Sequence, residues 1–383
     1  MINCNLRAEP YVNWLVFFED QQCLQVLEYL MMRKLTGTRK LFFFVSAVIA
    51  GFYSLQIAEA CTRILWNDNK LGVFVARSMD WPQSTEPMLF VFPKGITRNG
   101  ADFGSDTVVK DNPAVWTSQY GSMVTAIYGR GTADGFNEKG LAIHMLYLNA
   151  TDYGPRDSSK PGLQVGIWGQ YALDNAATVA EALDKLSQIQ PVMVTVNGFK
   201  GTVHLVLEDA SGDSALIEYI DGKAVIHQDK KNRVVTNDPP YTEQLAMLGK
   251  LDFSHPQSTT PLPGNMTSAD RLERATYFLQ LLPEPNNERE AVASIMAVAR
   301  NVSVPFGAPY KNFGIYDTEY RTVINFNDQR YYFELTTSPS VIWVDLKKFN
   351  LSAGSSIFAF DPRKTSLSGD ISDAFEKIDK APF

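Results

Sequence analysis

Residues 57–66 read IAEACTRILW, and Ala58-Glu59-Ala60 is the kind of small-residue triplet after which a signal peptidase cuts. Cleavage there makes Cys61 the first residue of the mature chain. A terminal cysteine carries two reactive groups, a thiol nucleophile and a free α-amine. An unperturbed α-amine titrates at ~7.7–8, so it accepts a proton near neutral pH. One residue then supplies the nucleophile and base that other enzymes assemble from a cysteine and a histidine. The requirement is strict, because the amine exists only once the bond before Cys61 is cut.

The preceding residues have the order of an export signal. MMRKLTGTRK brings four basic residues and no acidic one, LFFFVSAVIAG is a short apolar core, and FYSLQIAEA leads to the cleavage site. The apolar run is too short and too abruptly ended to span a membrane, so no stable membrane insertion is expected after cleavage, and the product is periplasmic or secreted. Residues 31–60 are read as the signal peptide, starting at Met31 or Met32, and residues 1–30 as an over-long start or an extension. Cleavage removes Cys4 and Cys23 and leaves one thiol, which asks for a chemical explanation more than a structural one. Two other readings compete. One is a cytoplasmic extension before an uncleaved anchor. The other is a lipid-anchored envelope binding protein acylated at Cys61, which would block both reactive groups; Glu59 fits poorly in the motif that directs such acylation.

Downstream, ARSMDW puts Arg77, Met79 and Trp81 on one face of a strand and Ser78 and Asp80 on the other. A nearby cation favours a thiolate, and a carboxylate can hold an α-amine in place. Each also has a plainer reading, as a surface arginine and a turn-forming aspartate. The four histidines, His144, His204, His227 and His255, make no metal-ligand spacing with cysteine or with one another, and no glycine-rich phosphate loop is present. No metal and no cofactor is expected. A Cys–His pair using His144 or His204 is an alternative the sequence does not signal. The net charge of −7 and the lack of a basic block argue against a nucleic-acid partner.

With 45% hydrophobic and 20% charged residues the chain can build a large core. TRILW and LGVFVARSM, separated by NDNK, read as a hairpin, MLFVFPKG as a third strand, and DGFNEKGLAIHMLYLN as a second hairpin turning at NEKG. QVGIWGQYALDN and ATVAEALDKLSQIQ carry helical periodicity. TVHLVLED, SALIEYI, KAVIHQ and RVVTN return to strands. TSADRLERATYFLQLL, with Ser268 as N-cap, and NEREAVASIMAVARNV are two further helices. TVINF, QRYYFEL and SVIWVDL end the chain as strands, and HPQSTTPLPGN is a proline-rich loop. This order suits one α+β domain over residues 61–383, with helices covering stacked antiparallel sheets.

Taken in order, CTRILW, GVFVARSMDW, DGFNEKGL, VVTNDPP and SADR resemble the choloylglycine hydrolase family, which includes penicillin V acylases and bile salt hydrolases. The resemblance implies the N-terminal-nucleophile hydrolase fold, a four-layer αββα sandwich, and a homotetramer or another homo-oligomer. It also implies a small-molecule N-acyl amide substrate, cleaved at a linear amide. By position it implies Cys61 as nucleophile and base donor, and Arg77 and Asp80 as the residues flanking it. Asn237 would donate its side-chain amide to the oxyanion, Arg271 would fix the site, and the Tyr147 backbone N–H would be a second oxyanion donor. Tyrosine at 147 resembles the penicillin V acylase branch, whereas bile salt hydrolases resemble asparagine there. An export signal resembles the Gram-negative branch, whose members also act on N-acyl homoserine lactones. The acyl part needs an apolar pocket, for which Met79, Trp81 and Met123 are candidates, with core packing as the plainer alternative.

Overall fold

The computed structural model describes residues 61–309, 316–364 and 366–383, so the segments assigned to 1–30 and 31–60 lie outside the described residues. The first hairpin forms as expected. Strands β1 (Thr62–Trp66) and β2 (Phe74–Trp81) pair antiparallel, with Thr62 opposite Ser78 and Trp66 opposite Phe74. Asn69 closes its turn by accepting from the amides of Leu71 at 2.9 Å and Gly72 at 3.2 Å. Gly72 sits at φ +132, and a β-carbon there would meet the Asn327 side chain at 2.6 Å, so the turn needs glycine.

The chain continues through β3 (Met88–Phe92), β4 (Ser122–Ile127), β5 (Gly131–Asn137) and β6 (Leu141–Tyr147). Helices α1 (Trp168–Asn175) and α2 (Val179–Ser187) follow, then β7 (Val203–Asp209), β8 (Ser214–Ile220), β9 (Lys223–Gln228) and β10 (Val234–Thr236). Next come α3 (Tyr241–Leu248), α4 (Ser268–Gln280) and α5 (Glu288–Asn301). The last strands are β11 (Asp317–Asn325), β12 (Arg330–Leu335), β13 (Ile342–Asp345), β14 (Ile357–Phe360), β15 (Gly369–Asp370) and β16 (Glu376–Ile378). Among the described residues these strands make a seven-stranded sheet in the order β10-β1-β2-β11-β12-β13-β15. A nine-stranded sheet runs β9-β8-β7-β6-β5-β4-β3-β14-β16. Both are antiparallel except for the parallel edge pair β13–β15.

Strand alternation sorts the side chains into three apolar layers, because successive residues point to opposite faces. On β1, Leu65 points between the sheets, as does Cys61 just before the strand, while Ile64 and Trp66 point to α4 and α5, where Leu272, Ala275, Ile295 and Ala299 meet them. On β6, Ala142 and Leu146 point between the sheets, and Leu141 and Ile143 meet Trp168, Ala172 and Val179 of α1 and α2. Helix–sheet–sheet–helix stacking follows, the αββα sandwich. It explains why strands such as β3, MLFVF, and β6, LAIHMLY, read as nearly unbroken apolar runs: both faces are covered. Each large aliphatic side chain buried this way contributes ~1.5–3 kcal/mol.

Two local expectations change. The N-cap of α4 is Thr267, not Ser268: Thr267 is extended at φ −65, ψ 158, and its hydroxyl accepts from the Asp270 amide at 3.2 Å. Asn287 caps α5 in the same manner, accepting from the Glu290 amide at 3.0 Å. Helix α3 is an addition to the expected elements. Only Tyr241 and Gln244 of its eight residues are buried, which leaves little periodicity to read.

Candidate active site

Cys61 leads into β1 between the sheets and is 2% exposed. Alternation on β2 brings Arg77 and Met79 to the same side. The Cys61 Sγ lies 3.8 Å from Arg77 Nη2 and 3.7 Å from Met79 Sδ. The guanidinium cannot swing away. Arg77 Nη1 donates to the Ala133 carbonyl at 2.7 Å and Nη2 to the Met145 carbonyl at 2.8 Å, both on the opposing sheet. Burial alone would lower the Arg77 pKa, but Tyr320, Cys61 and Asp134 outweigh it and the net shift is upward. A fixed cation therefore faces the sulfur.

On the other side of Cys61, Arg271 near the start of α4 gathers the backbone. Its Nη1 donates to the Cys61 carbonyl at 2.8 Å and to the Thr62 hydroxyl, and lies 3.6 Å from Asp80 Oδ2. Its Nη2 reaches Asn237 Oδ1 at 3.4 Å. Asn237 follows β10, the strand paired with β1, so the β1–β10 ladder sets its distance from Cys61. The Cys61 backbone nitrogen donates to Asn237 Oδ1, and Asn237 Nδ2 donates to the Tyr147 carbonyl at 2.8 Å. The asparagine thus bridges the nucleophile candidate to Tyr147 across the sheets. Asp80 accepts from Ser78 at 3.1 Å and from Thr318, a partner with no signature in the sequence. Burial raises Asp80 to about 6, against the downward pull of Arg271 and the two hydroxyls.

Cys61, Arg77, Met79, Trp81 and Tyr147 open onto one cavity of about 770 Å³, counting its solvent-open mouth. Trp81 anchors its aromatic wall, with ring centroids 5.7 Å from Tyr147 and 5.0 Å from Phe199. Met123 does not line it. That side chain is fully buried in the layer between the sheets, on β4, where Val91 and Phe136 are its cross-strand neighbours. Its chemical type suits a pocket and a core equally, and strand position decides for the core. Phe199 joins the wall without having been expected there. It closes a hairpin of Thr195–Val196 with Phe199–Lys200 around Asn197 and Gly198, both at positive φ. Asn-Gly between short apolar runs is a strong hairpin signal, so the VTVNGFK stretch carries the information.

Neither histidine named as a possible base is paired with Cys61. His204 Nδ1 lies 3.1 Å from Glu218. His144 is fully buried, with Nδ1 2.5 Å from Asp134 Oδ1 and Nε2 2.5 Å from Glu208 Oε1. Burial would lower its pKa, but Glu208 and Asp134 together raise it from 6.5 to about 9. A raised folded-state pKa means that the stabilisation is fully present below about 6.5 and is lost as pH climbs through about 9. The urea midpoint of the protein is therefore expected to fall between about pH 6.5 and about pH 9.5, and the fall to shrink in His144→Gln. An undiminished fall in the variant would show that another group titrates. Among the described residues, no group of three or more His, Cys, Asp and Glu side chains is arranged to hold a metal ion.

Comparison with known proteins agrees with this geometry. The model of the linear amide C–N hydrolases, choloylglycine hydrolase family, matches residues 61–361. The penicillin V acylase of Pectobacterium atrosepticum is 38% identical over 322 residues, 77% of this chain and 83% of that protein. The structure of penicillin V acylase from Agrobacterium tumefaciens superposes with a TM-score of 0.75 at 38% identity, covering 84% of this chain and 98% of that one. A mutant of the conjugated bile acid hydrolase from Clostridium perfringens shares the fold, with a TM-score of 0.68 at 20% identity over 80% of this chain and 98% of that one. With the sandwich, the ordered motifs and these matches in agreement, the chain belongs to the choloylglycine hydrolase family and is a hydrolase of linear amide carbon–nitrogen bonds.

Proposed function

We propose that this hydrolase is exported, freed at Cys61 by signal cleavage, and cleaves N-acyl amides through a thioester on that residue. The observation that carries the reading is the position of Cys61. Its sulfur opens on an apolar cavity beside a fixed Arg77, while its nitrogen and carbonyl are held by Asn237 and Arg271. The family match begins at Cys61, which supports cleavage there.

In the proposed reaction the thiol proton passes to the α-amine and the sulfur attacks the amide carbonyl. The negative oxygen that forms is held by the remaining N–H of Asn237 Nδ2 and the Tyr147 backbone N–H. As the C–N bond breaks, the α-amine returns the proton to the leaving amine. Water then adds to the thioester, releasing the carboxylic acid and restoring the thiol. Asp80 and Arg271 keep the terminal residue oriented.

The wall of Trp81, Tyr147, Phe199 and Met79 suits an aryl or alkyl acyl group, and the relatives at 38% identity are penicillin V acylases by name. Penicillin V is the proposed substrate type, with N-acyl homoserine lactones and conjugated bile acids as comparators. A homo-oligomer, in the periplasm or outside the cell, is part of the same proposal. The test is release of free amine from the three substrates by the enzyme and by Asn237→Ala. Loss of one oxyanion donor is expected to lower kcat about 10²–10³-fold. Full activity in Asn237→Ala would remove the asparagine from the oxyanion site, and faster release from conjugated bile acids would reassign the substrate.

A further inference from the structure

A row of buried charges runs away from the nucleophile between the sheets. Arg77 on β2 and Arg63 on β1 are cross-strand neighbours in the first sheet. Asp134, His144 and Glu208 stand on β5, β6 and β7, three consecutive strands of the second sheet, and none of them is exposed. His144 touches Asp134 and Glu208, one with each ring nitrogen, and Glu208 Oε2 lies 3.4 Å from Arg63 Nε. The row is tied to Arg77 at two points. Arg77 donates to the carbonyl of Ala133, the residue before Asp134, and Thr322, the cross-strand partner of Arg77, donates to Asp134 Oδ2 at 2.5 Å. Asp134, His144 and Glu208 are absent from the cavity wall, so they do not meet substrate there.

Both imidazole nitrogens face carboxylate oxygens. A neutral ring would turn one lone pair toward an anion, whereas the imidazolium presents an N–H to each, hydrogen-bonded to Glu208 and in close charge contact with Asp134. With His144 charged, the row alternates from Arg77 to Arg63 as plus, minus, plus, minus, plus. Asp134 alone would weaken the positive field of Arg77 at the sulfur, and the His144 charge offsets it.

We propose that His144 is a positioning residue for the chemistry at Cys61: its buried imidazolium cancels Asp134 and so preserves the field of Arg77 that favours the thiolate. The inference rests on the reading of Cys61 as nucleophile. The other titratable groups bordering the row are Tyr331, whose hydroxyl donates to Asp134 at 2.7 Å, Tyr320, and Tyr241 beside Arg63; burial raises all three above their usual range, so they stay neutral. On the far side of Cys61 stand Asp80 and Arg271.

The experiment is the pH dependence of Cys61 alkylation by iodoacetamide in the mature enzyme, in His144→Gln, in Asp134→Asn and in the double variant. A direct charge partner shifts a pKa by about 1–3 units, and this one acts at longer range, so a shift of about half a unit is expected. The midpoint should rise in His144→Gln, fall in Asp134→Asn and return toward the parent in the double variant. A purely structural cluster has no reason to give opposite signs. Shifts in the same direction, or none, would overturn the proposal. If the single variants do not fold, the ¹⁵N chemical shifts of His144 in the unmodified enzyme decide the matter: an imidazolium at about pH 7.5 supports it, and a neutral ring contradicts it. Alkylation is read without turnover. A protein lacking amidase activity but showing the opposed shifts would refute only the Cys61 mechanism, while an active enzyme without the shifts would refute only the role of His144.

Discussion

Cys61→Ala is expected to lose at least about 10⁴-fold in kcat/KM on penicillin V, the scale seen when a covalent nucleophile is removed from a site whose members act as a unit. Stability should change little by comparison. The substitution deletes one sulfur from a layer otherwise packed by Leu65, Met79 and Val235, and leaves Arg271 and Asn237 their bonds to the backbone of residue 61. The measurement is amine release by the purified variant beside its thermal midpoint. An inactive variant melting near the parent temperature assigns the loss to chemistry. Retained activity would end the thioester mechanism.

A mature chain keeping Ala60 ahead of Cys61 should be nearly as impaired. The nitrogen then belongs to an amide, which still donates to Asn237 Oδ1 but cannot accept the thiol proton. Removing a general base costs about 10²–10⁴-fold. The thiol survives in this variant, and Arg77 remains 3.8 Å from it. Iodoacetamide should therefore still label Cys61 while amide hydrolysis collapses. That separation is the signature of a base lost from an intact nucleophile. Equal hydrolysis by the two forms would place the base elsewhere in the protein.

Much of this site can be read from the sequence because it is local. The alternation of Arg77, Met79 and Trp81 follows from a period of two, and the hairpin that sets Arg77 beside Cys61 follows from NDNK between two apolar runs. Asn237 and Arg271 lie far from Cys61 in sequence and enter through ordered motifs. No periodicity could bring them together, since the β1–β10 ladder and the packing of α4 do so. Met123 shows the limit from the other side. A methionine on a strand covered on both faces carries no sign of which layer it joins, and it joins the core. The His144 row is half legible. Turning DGFNEKGLAIH at NEKG sets Asp134 opposite His144, as the β5–β6 register does. Glu208 and Arg63 come from other strands, and their approach depends on how the sheets stack. Scattered histidines thus look idle in sequence while one of them stands in a charged core.

The most direct test is the intact mass of the active enzyme recovered from its producing cells, with a second sample acid-quenched during turnover of penicillin V. The expected mass is that of residues 61–383, and in the quenched sample an added acyl group maps to Cys61. An active protein that retains its leader, or that carries lipid on Cys61, would contradict it, because in neither case is the α-amine free to take the proton.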